Sequence, residues 1–310
     1  MTNLTVTPVT GTQYDIGAGD YQATVTELGG GLRRLTHRGQ PVITGYQPDE
    51  LPPAGAGQLL APWPNRIDHG RYDFDGSSFQ LELSEAARGN AIHGLTRWAN
   101  WAPIGQTSDE ITLAHLLHGR PGYPFCLELS ISYSVSAASG LQATITARNA
   151  GSRQAPYGTG AHPYLTTGEP LIDPCELTLP AGRWLPADDR GIPSGPPQDI
   201  TGTPFDFRSP RPIGGTSLDH ALTDLTRDEA GRAWAWLASG NVRLGLWAGP
   251  GYDWLQVFTG DGLAADQRRR ALAVEPMTCP PNAFATGAGL LVLAPGDSVS
   301  HSWGIEVRQS

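Results

Sequence analysis

An all-β fold, a large antiparallel β-sandwich with few short helices, is what three features of this 310-residue chain predict. Apolar residues alternate with polar ones at period two in segment after segment, the pattern of strands that bury one face. There are 39 glycines and 27 prolines, both costly inside helices, and no long amphipathic helical run. A hydrophobic content of 39% is too high for a disordered chain, and the length suffices to bury a large core.

Taken in order, residues 71–83 read as a hairpin: Tyr72 and Phe74 alternate, Asp75-Gly76 supplies the turn, and Phe79, Leu81 and Leu83 alternate on the return. Leu127, Leu129, Ile131, Tyr133 and Val135 share one face of a strand. After the turn at Ser139-Gly140, Leu141, Ala143, Ile145 and Ala147 do the same. Residues 188–197 form a loop rich in Pro, Gly and Asp, and residues 217–224 predict a turn or two of helix. Val242-Leu244-Leu246, Leu255-Val257, Leu272-Val274 and Trp303-Ile305-Val307 complete the strands. With no repeat and no strong linker, residues 1–310 read as a single domain.

The net charge of −9 argues against nucleic-acid or anionic-membrane partners, which demand clustered cations. The one compact basic run, Arg268-Arg269-Arg270, reads as a solvated loop. All 21 basic residues are arginine, which excludes lysine Schiff-base chemistry and a P-loop lysine. Cys126, Cys175 and Cys279, odd in number and widely spaced, read as free thiols of a reducing compartment. With no basic start, apolar leader or membrane-length stretch, the expectation is a cytoplasmic protein. Histidine spacing offers no HxH or HxxxH pair, so neither metal nor cofactor is expected.

Two segments carry the chemistry. His162 precedes Pro163 and Glu275 precedes Pro276. A residue before proline is pushed into extended backbone, a stiff mount for an acid–base pair. One imidazole and one carboxylate suffice for proton-transfer chemistry on a sugar. Four further segments present groups that hydrogen-bond hydroxyls: Asn65 and Arg66 in PWPNRI, His93 in NAIHG, Asp219 in SLDHAL and Gln256 in LQVFT. Trp63 is the candidate for stacking on a pyranose face.

In joint order, PNRI with its following hairpin, NAIHG, GAHPYL, SLDHAL, LQVFT, VEPMTCPPNAF and the closing LAPGDSVSHSWGIEV resemble the aldose 1-epimerase (galactose mutarotase-like) family over residues 20–308. The resemblance implies a β-supersandwich with a sugar groove, Glu275 as general base and His162 as general acid. Asn65, Arg66, His93, Asp219 and Gln256 would bind or orient the sugar. Galactose-active members usually carry a polar residue after the acidic histidine and an asparagine a few positions on. Here Pro163 follows His162 and that asparagine is missing, a pattern closer to a less-characterised bacterial branch.

The function expected is therefore a cofactor-free mutarotase that interconverts α and β anomers of a hexose by acid–base ring opening and closure. For His162 to donate, a carboxylate, Asp219 or Glu275, must support its imidazolium. Two alternatives share the fold. One is a mutarotase for a phosphorylated or sulfonated hexose, with Arg66, Arg71 or Arg97 receiving the acid. The other is a non-catalytic sugar-binding or sensing protein.

Overall fold

In the computed structural model, which describes residues 7–309, antiparallel strands make up nearly all the regular structure. Residues 1–6, part of the segment read as leader-free, and Ser310 lie outside the described residues. A nine-stranded sheet runs from edge to edge through Ala102–Gln106, Glu110–Leu117, Leu127–Ser136, Gly140–Asn149, Ser298–Gln309, Val242–Ala248, Ala233–Ser239, Glu176–Thr178 and Arg211–Pro212. A second sheet runs through Gln198–Asp199, Ala181–Leu185, Asp219–Leu225, Trp254–Phe258, Leu272–Met277, Gly160–Ala161 and Leu59–Leu60, with Tyr164–Leu165 also paired to Leu272–Met277. Gln13–Ala18, Tyr21–Thr26, Leu32–His37 and Gln40–Pro41 form a four-stranded sheet.

The first sheet bears out the alternation. Leu127–Ser136 buries every second residue, and Leu129, Ile131 and Tyr133 pair across to Ala147, Ile145 and Ala143. These inward side chains belong to one continuous apolar core with Leu222, Val257 and Val274 of the second sheet. The expected hairpin forms over Arg71–Phe74 and Ser77–Gln80, with Tyr72 opposite Phe79 and their rings stacked at 5.1 Å, but its return strand stops short of Leu81 and the exposed Leu83. Asp75 and Gly76 both take positive φ (48° and 71°), the conformation of a two-residue primed turn.

Two expectations fail. Residues 217–224 are not helical: Asp219–Leu225 is a strand clamped between Ala181–Leu185 and Trp254–Phe258. Pairing on both sides outweighs the weak local preference for a helical turn. Among the described residues the single α-helix is Ala283–Thr286. Nor is Arg269 merely solvated. It bonds Asp173 at 2.7 Å and Asp261 at 2.8 Å and donates to the carbonyls of Gly214 and Thr216, tying three loops together.

The three cysteines are unpaired. No helix among the described residues is long and apolar enough to cross a membrane. Trp101 is fully buried against Gly30 and next to the His115 ring. Trp101→Ala is expected to destabilise the fold by about 3–5 kcal/mol, seen as a lower urea midpoint at unchanged slope.

Candidate functional site

The second sheet supplies the floor of the site. Leu272–Met277 is buried at every position, so it shows no alternation that would mark Glu275 as inward or outward. Gly160 pairs with Met277 and Tyr164 with Ala273, and continuing either register places His162 opposite Glu275. Between those two pairs the ladder is interrupted. The N–H of His162 bonds the Gln58 carbonyl, and its own carbonyl accepts from Gly57, at 3.0 and 2.9 Å. His162 Nε2 consequently stands 3.3 Å from Glu275 Oε1, with both side chains almost wholly buried (6% and 3% exposed).

Neighbours hold the imidazole in place. The Tyr164 ring stacks on it at 5.0 Å and 20°, and the Tyr164 hydroxyl is tied to the Ala54 carbonyl at 3.1 Å. The His93 ring meets it edge-on at 5.4 Å. Gly55 packs on the ring: a Cβ there would sit 3.0 Å from His162 Cδ2.

The remaining candidates come from three directions. Gln256 pairs directly across from Glu275, and its Nε2 donates to Asp219 Oδ1 at 2.7 Å. Asn65 and His93 sit at one end of the ladder between Arg66–Asp68 and Asn90–Ile92, both at positive φ (54° and 61°). Gly94 follows because a Cβ there would lie 2.0 Å from the Ala61 carbonyl oxygen. Arg66 grips Glu85 through Nε and Nη2 at 2.8 and 3.0 Å, and Asn90 Nδ2 holds Glu85 at 3.1 Å. All of these groups but Gly94 and Asn90 line a cleft of about 550 Å³, a size suited to a small molecule.

Asn65, Arg66, His93, His162, Asp219, Gln256 and Glu275 all line this cleft. Trp63 does not. It is 2% exposed and packs on Phe284 at 5.5 Å, because Phe284 and Tyr72 form an aromatic core behind the PNRI segment. The tryptophan at the cleft, which Tyr164 and Phe258 also line, is Trp98, 51% exposed; the sequence reading passed it over although it lies five positions after His93. Glu85 and Tyr164 were also missed, since their roles arise from what they touch. Arg71 lies on the hairpin, bonded to Gln80, away from the cleft.

Burial governs the electrostatics. It pushes the Glu275 carboxyl well above the usual range; nearby Asp219 adds to this and Arg66 opposes it. It pushes His162 down to about 3, with Arg97 and Arg66 adding to the effect. Glu275 is thus the carboxylate partner that a donating His162 requires, yet desolvation favours the neutral carboxyl beside a neutral imidazole. That pair holds the same one proton as carboxylate plus imidazolium, so transfer across 3.3 Å interconverts the two arrangements. Glu275 Oε2 and Gln256 Oε1 are buried without a protein partner, a costly state usually kept for function.

His93, His162 and Glu275 each offer a ligand atom within 4.8 Å of the others, a grouping the histidine spacing did not reveal. The trio fits a metal poorly. His93 Nδ1 accepts the Asn65 backbone N–H at 3.2 Å, whereas a metal-ligating histidine donates from its second nitrogen.

An antiparallel β-sandwich with a buried imidazole–carboxyl pair in a polar cleft defines a protein equipped for acid–base chemistry on a small polar molecule. A family model described as Aldose 1-epimerase matches residues 12–306. The chain is 36% identical over 287 residues to the uncharacterized protein YihR of Escherichia coli K12, covering 92% of this chain and 90% of that one. It is 27% identical over 173 residues to human galactose mutarotase, 54% of this chain and 49% of the other. The galactose mutarotase/aldose epimerase homologue of C. elegans superposes with a TM-score of 0.85 over 96% of this chain and 99% of that one, at 19% identity. The chain belongs to the aldose 1-epimerase family, isomerases acting on carbohydrates.

Proposed function

We propose that the protein accelerates the interconversion of α and β anomers of an aldose, with His162 and Glu275 as the proton-transfer pair. The observation that carries this reading is their opposed placement, 3.3 Å apart and buried, at the floor of a cleft lined by amides, guanidinium and imidazole. Glu275 as carboxylate takes the proton of the C1 hydroxyl. The C1–O5 electrons pass to the ring oxygen, which takes the proton of His162. Rotation about C1–C2 turns the aldehyde over, and the reverse transfers close the ring on its other face. Asn65, Arg66, His93, Asp219 and Gln256 hold the hydroxyls. The test is polarimetry on freshly dissolved α-D-glucose and α-D-galactose, where acceleration over buffer is expected for at least one. No acceleration with these or with acid-bearing aldoses, while sugar still binds in equilibrium dialysis, would return the cleft to a sensing role.

Arg97 favours a second reading, an aldose carrying an acid group. Arg66 has Glu85 and Arg88 lies 3.9 Å from Asp219, but Arg97 donates only to Gln58 Oε1 and the Ile92 carbonyl. Its guanidinium lies 5.6 Å from the Trp98 ring, and burial lowers its pKa to about 10. A half-buried cation with Glu85 near but no direct salt bridge suits a phosphate or sulfonate on the sugar. On this reading, Arg97→Gln raises KM for a 6-phosphorylated or 6-sulfonated glucose by about tenfold or more, and changes KM for glucose much less. Equal effects on both sugars would remove the second reading and leave the first.

A further inference from the structure

We infer that His93 serves the site as a permanently neutral hydrogen-bond donor through Nε2–H, and that the backbone amide of Asn65 is the positioning group that fixes this tautomer. The inference rests on the proposed sugar cleft for its purpose, but not for its geometry.

Asn65 and His93 clasp each other. The His93 N–H donates to the Asn65 carbonyl at 2.9 Å, and the Asn65 N–H donates to His93 Nδ1 at 3.2 Å. Both residues hold positive φ, which turns the Asn65 amide and the His93 side chain toward each other at the end of their two-stranded ladder. Asparagine tolerates that conformation better than most residues, and its Oδ1 caps the next amide, Arg66 N–H, at 2.9 Å. Because Nδ1 must present a lone pair to the Asn65 amide, the proton of a neutral imidazole has to reside on Nε2.

Protonating Nδ1 would set two N–H groups against each other in a buried site. Burial independently disfavours the cation, and His162, Arg97 and Arg66 reinforce it. Glu85, Asp219, Asp261 and Glu275 are the acidic groups lining the same cleft, and Glu85 and Asp261 are engaged by Arg66 and Arg269. His93 therefore differs in kind from His162, its neighbour at 5.4 Å. His162 Nε2 faces a carboxyl with which it can exchange a proton, whereas His93 can only donate, to a sugar oxygen that grows more basic as the ring opens. The same clasp makes His93 a poor metal ligand.

The test is heteronuclear NMR of the full chain labelled with ¹⁵N-histidine, with the His93 signals assigned by their loss in His93→Gln. The expected spectrum shows protonated Nε2 and unprotonated Nδ1 from pH 5 to 8, in the wild type and in Asn65→Gly, which keeps the amide and permits positive φ. A protonated Nδ1, or a His93 titration inside that range, would overturn the inference. A switched tautomer in Asn65→Gly alone would overturn the role of the backbone amide. In the mutarotation assay His93→Gln, whose amide nitrogen falls near Nε2, is expected to keep about tenfold more kcat/KM than His93→Asn, whose amide falls near Nδ1. The reverse order would count against the donor role. The NMR result does not depend on activity, so failure of the proposed reaction and failure of this inference are separable.

Discussion

Glu275→Gln is expected to lower kcat for mutarotation by about 10²–10⁴-fold while the protein remains folded. Glutamine preserves shape and hydrogen-bonding capacity but cannot take a proton from the anomeric hydroxyl. The fold should tolerate the change because burial on a strand with no exposed position already favours the uncharged form of the wild-type carboxyl. A sign follows for stability. With its folded pKa raised, Glu275 favours the folded state below the unfolded value of 4.5, and this advantage is lost as pH rises through the folded pKa. Glu275→Gln removes that loss, so its melting temperature should gain on the wild type as pH rises. Polarimetry and a pH series of thermal melts check both parts. A kcat within a factor of a few of wild type would remove Glu275 from the reaction.

His162→Asn should fall by a comparable factor, with KM changing far less than kcat, because the lost proton transfer belongs to the transition state. Here the stability sign is opposite. Burial depresses His162 to about 3 from 6.5, so its contribution is fully present above 6.5 and is lost as pH falls toward 3. At most one proton is involved, about 1.4 kcal/mol per pH unit at the steepest point. His162→Asn should therefore show a shallower loss of stability on the acid side than the wild type. An unchanged acid limb would mean that His162 is already charged in the folded protein, as in a true ion pair with Glu275.

The fold was largely legible where strands have one wet face. Residues 127–135 and 141–147 alternate because one side meets solvent, and Asp75-Gly76 marks its hairpin through a backbone need that few residues meet. Legibility fell where both faces are buried. Leu272–Met277 carries no period, and Asp219–Leu225 passed for a helical turn until two neighbouring strands claimed it.

In the candidate site, seven of the residues singled out from motifs line one cleft, since each pairs a hydrogen-bonding group with a backbone constraint or a family motif. Trp63 was misjudged because an aromatic between prolines looks the same whether it faces a sugar or Phe284. Trp98, Glu85 and Tyr164 went unseen for the converse reason.

Composition and pattern alone were enough for the β class, the absence of lysine chemistry and the extended mount of Glu275 before Pro276, because these depend on local sterics and periodicity. The opposition of His162 to Glu275, the pairing of Arg66 with Glu85 and the clasp between Asn65 and His93 join residues up to more than a hundred positions apart. Only the tertiary fold, through sheet register for His162 and Glu275 and through loop placement for the others, brings such groups within hydrogen-bonding distance. Only the low-dielectric surroundings of the folded core then decide which of them keep their charge.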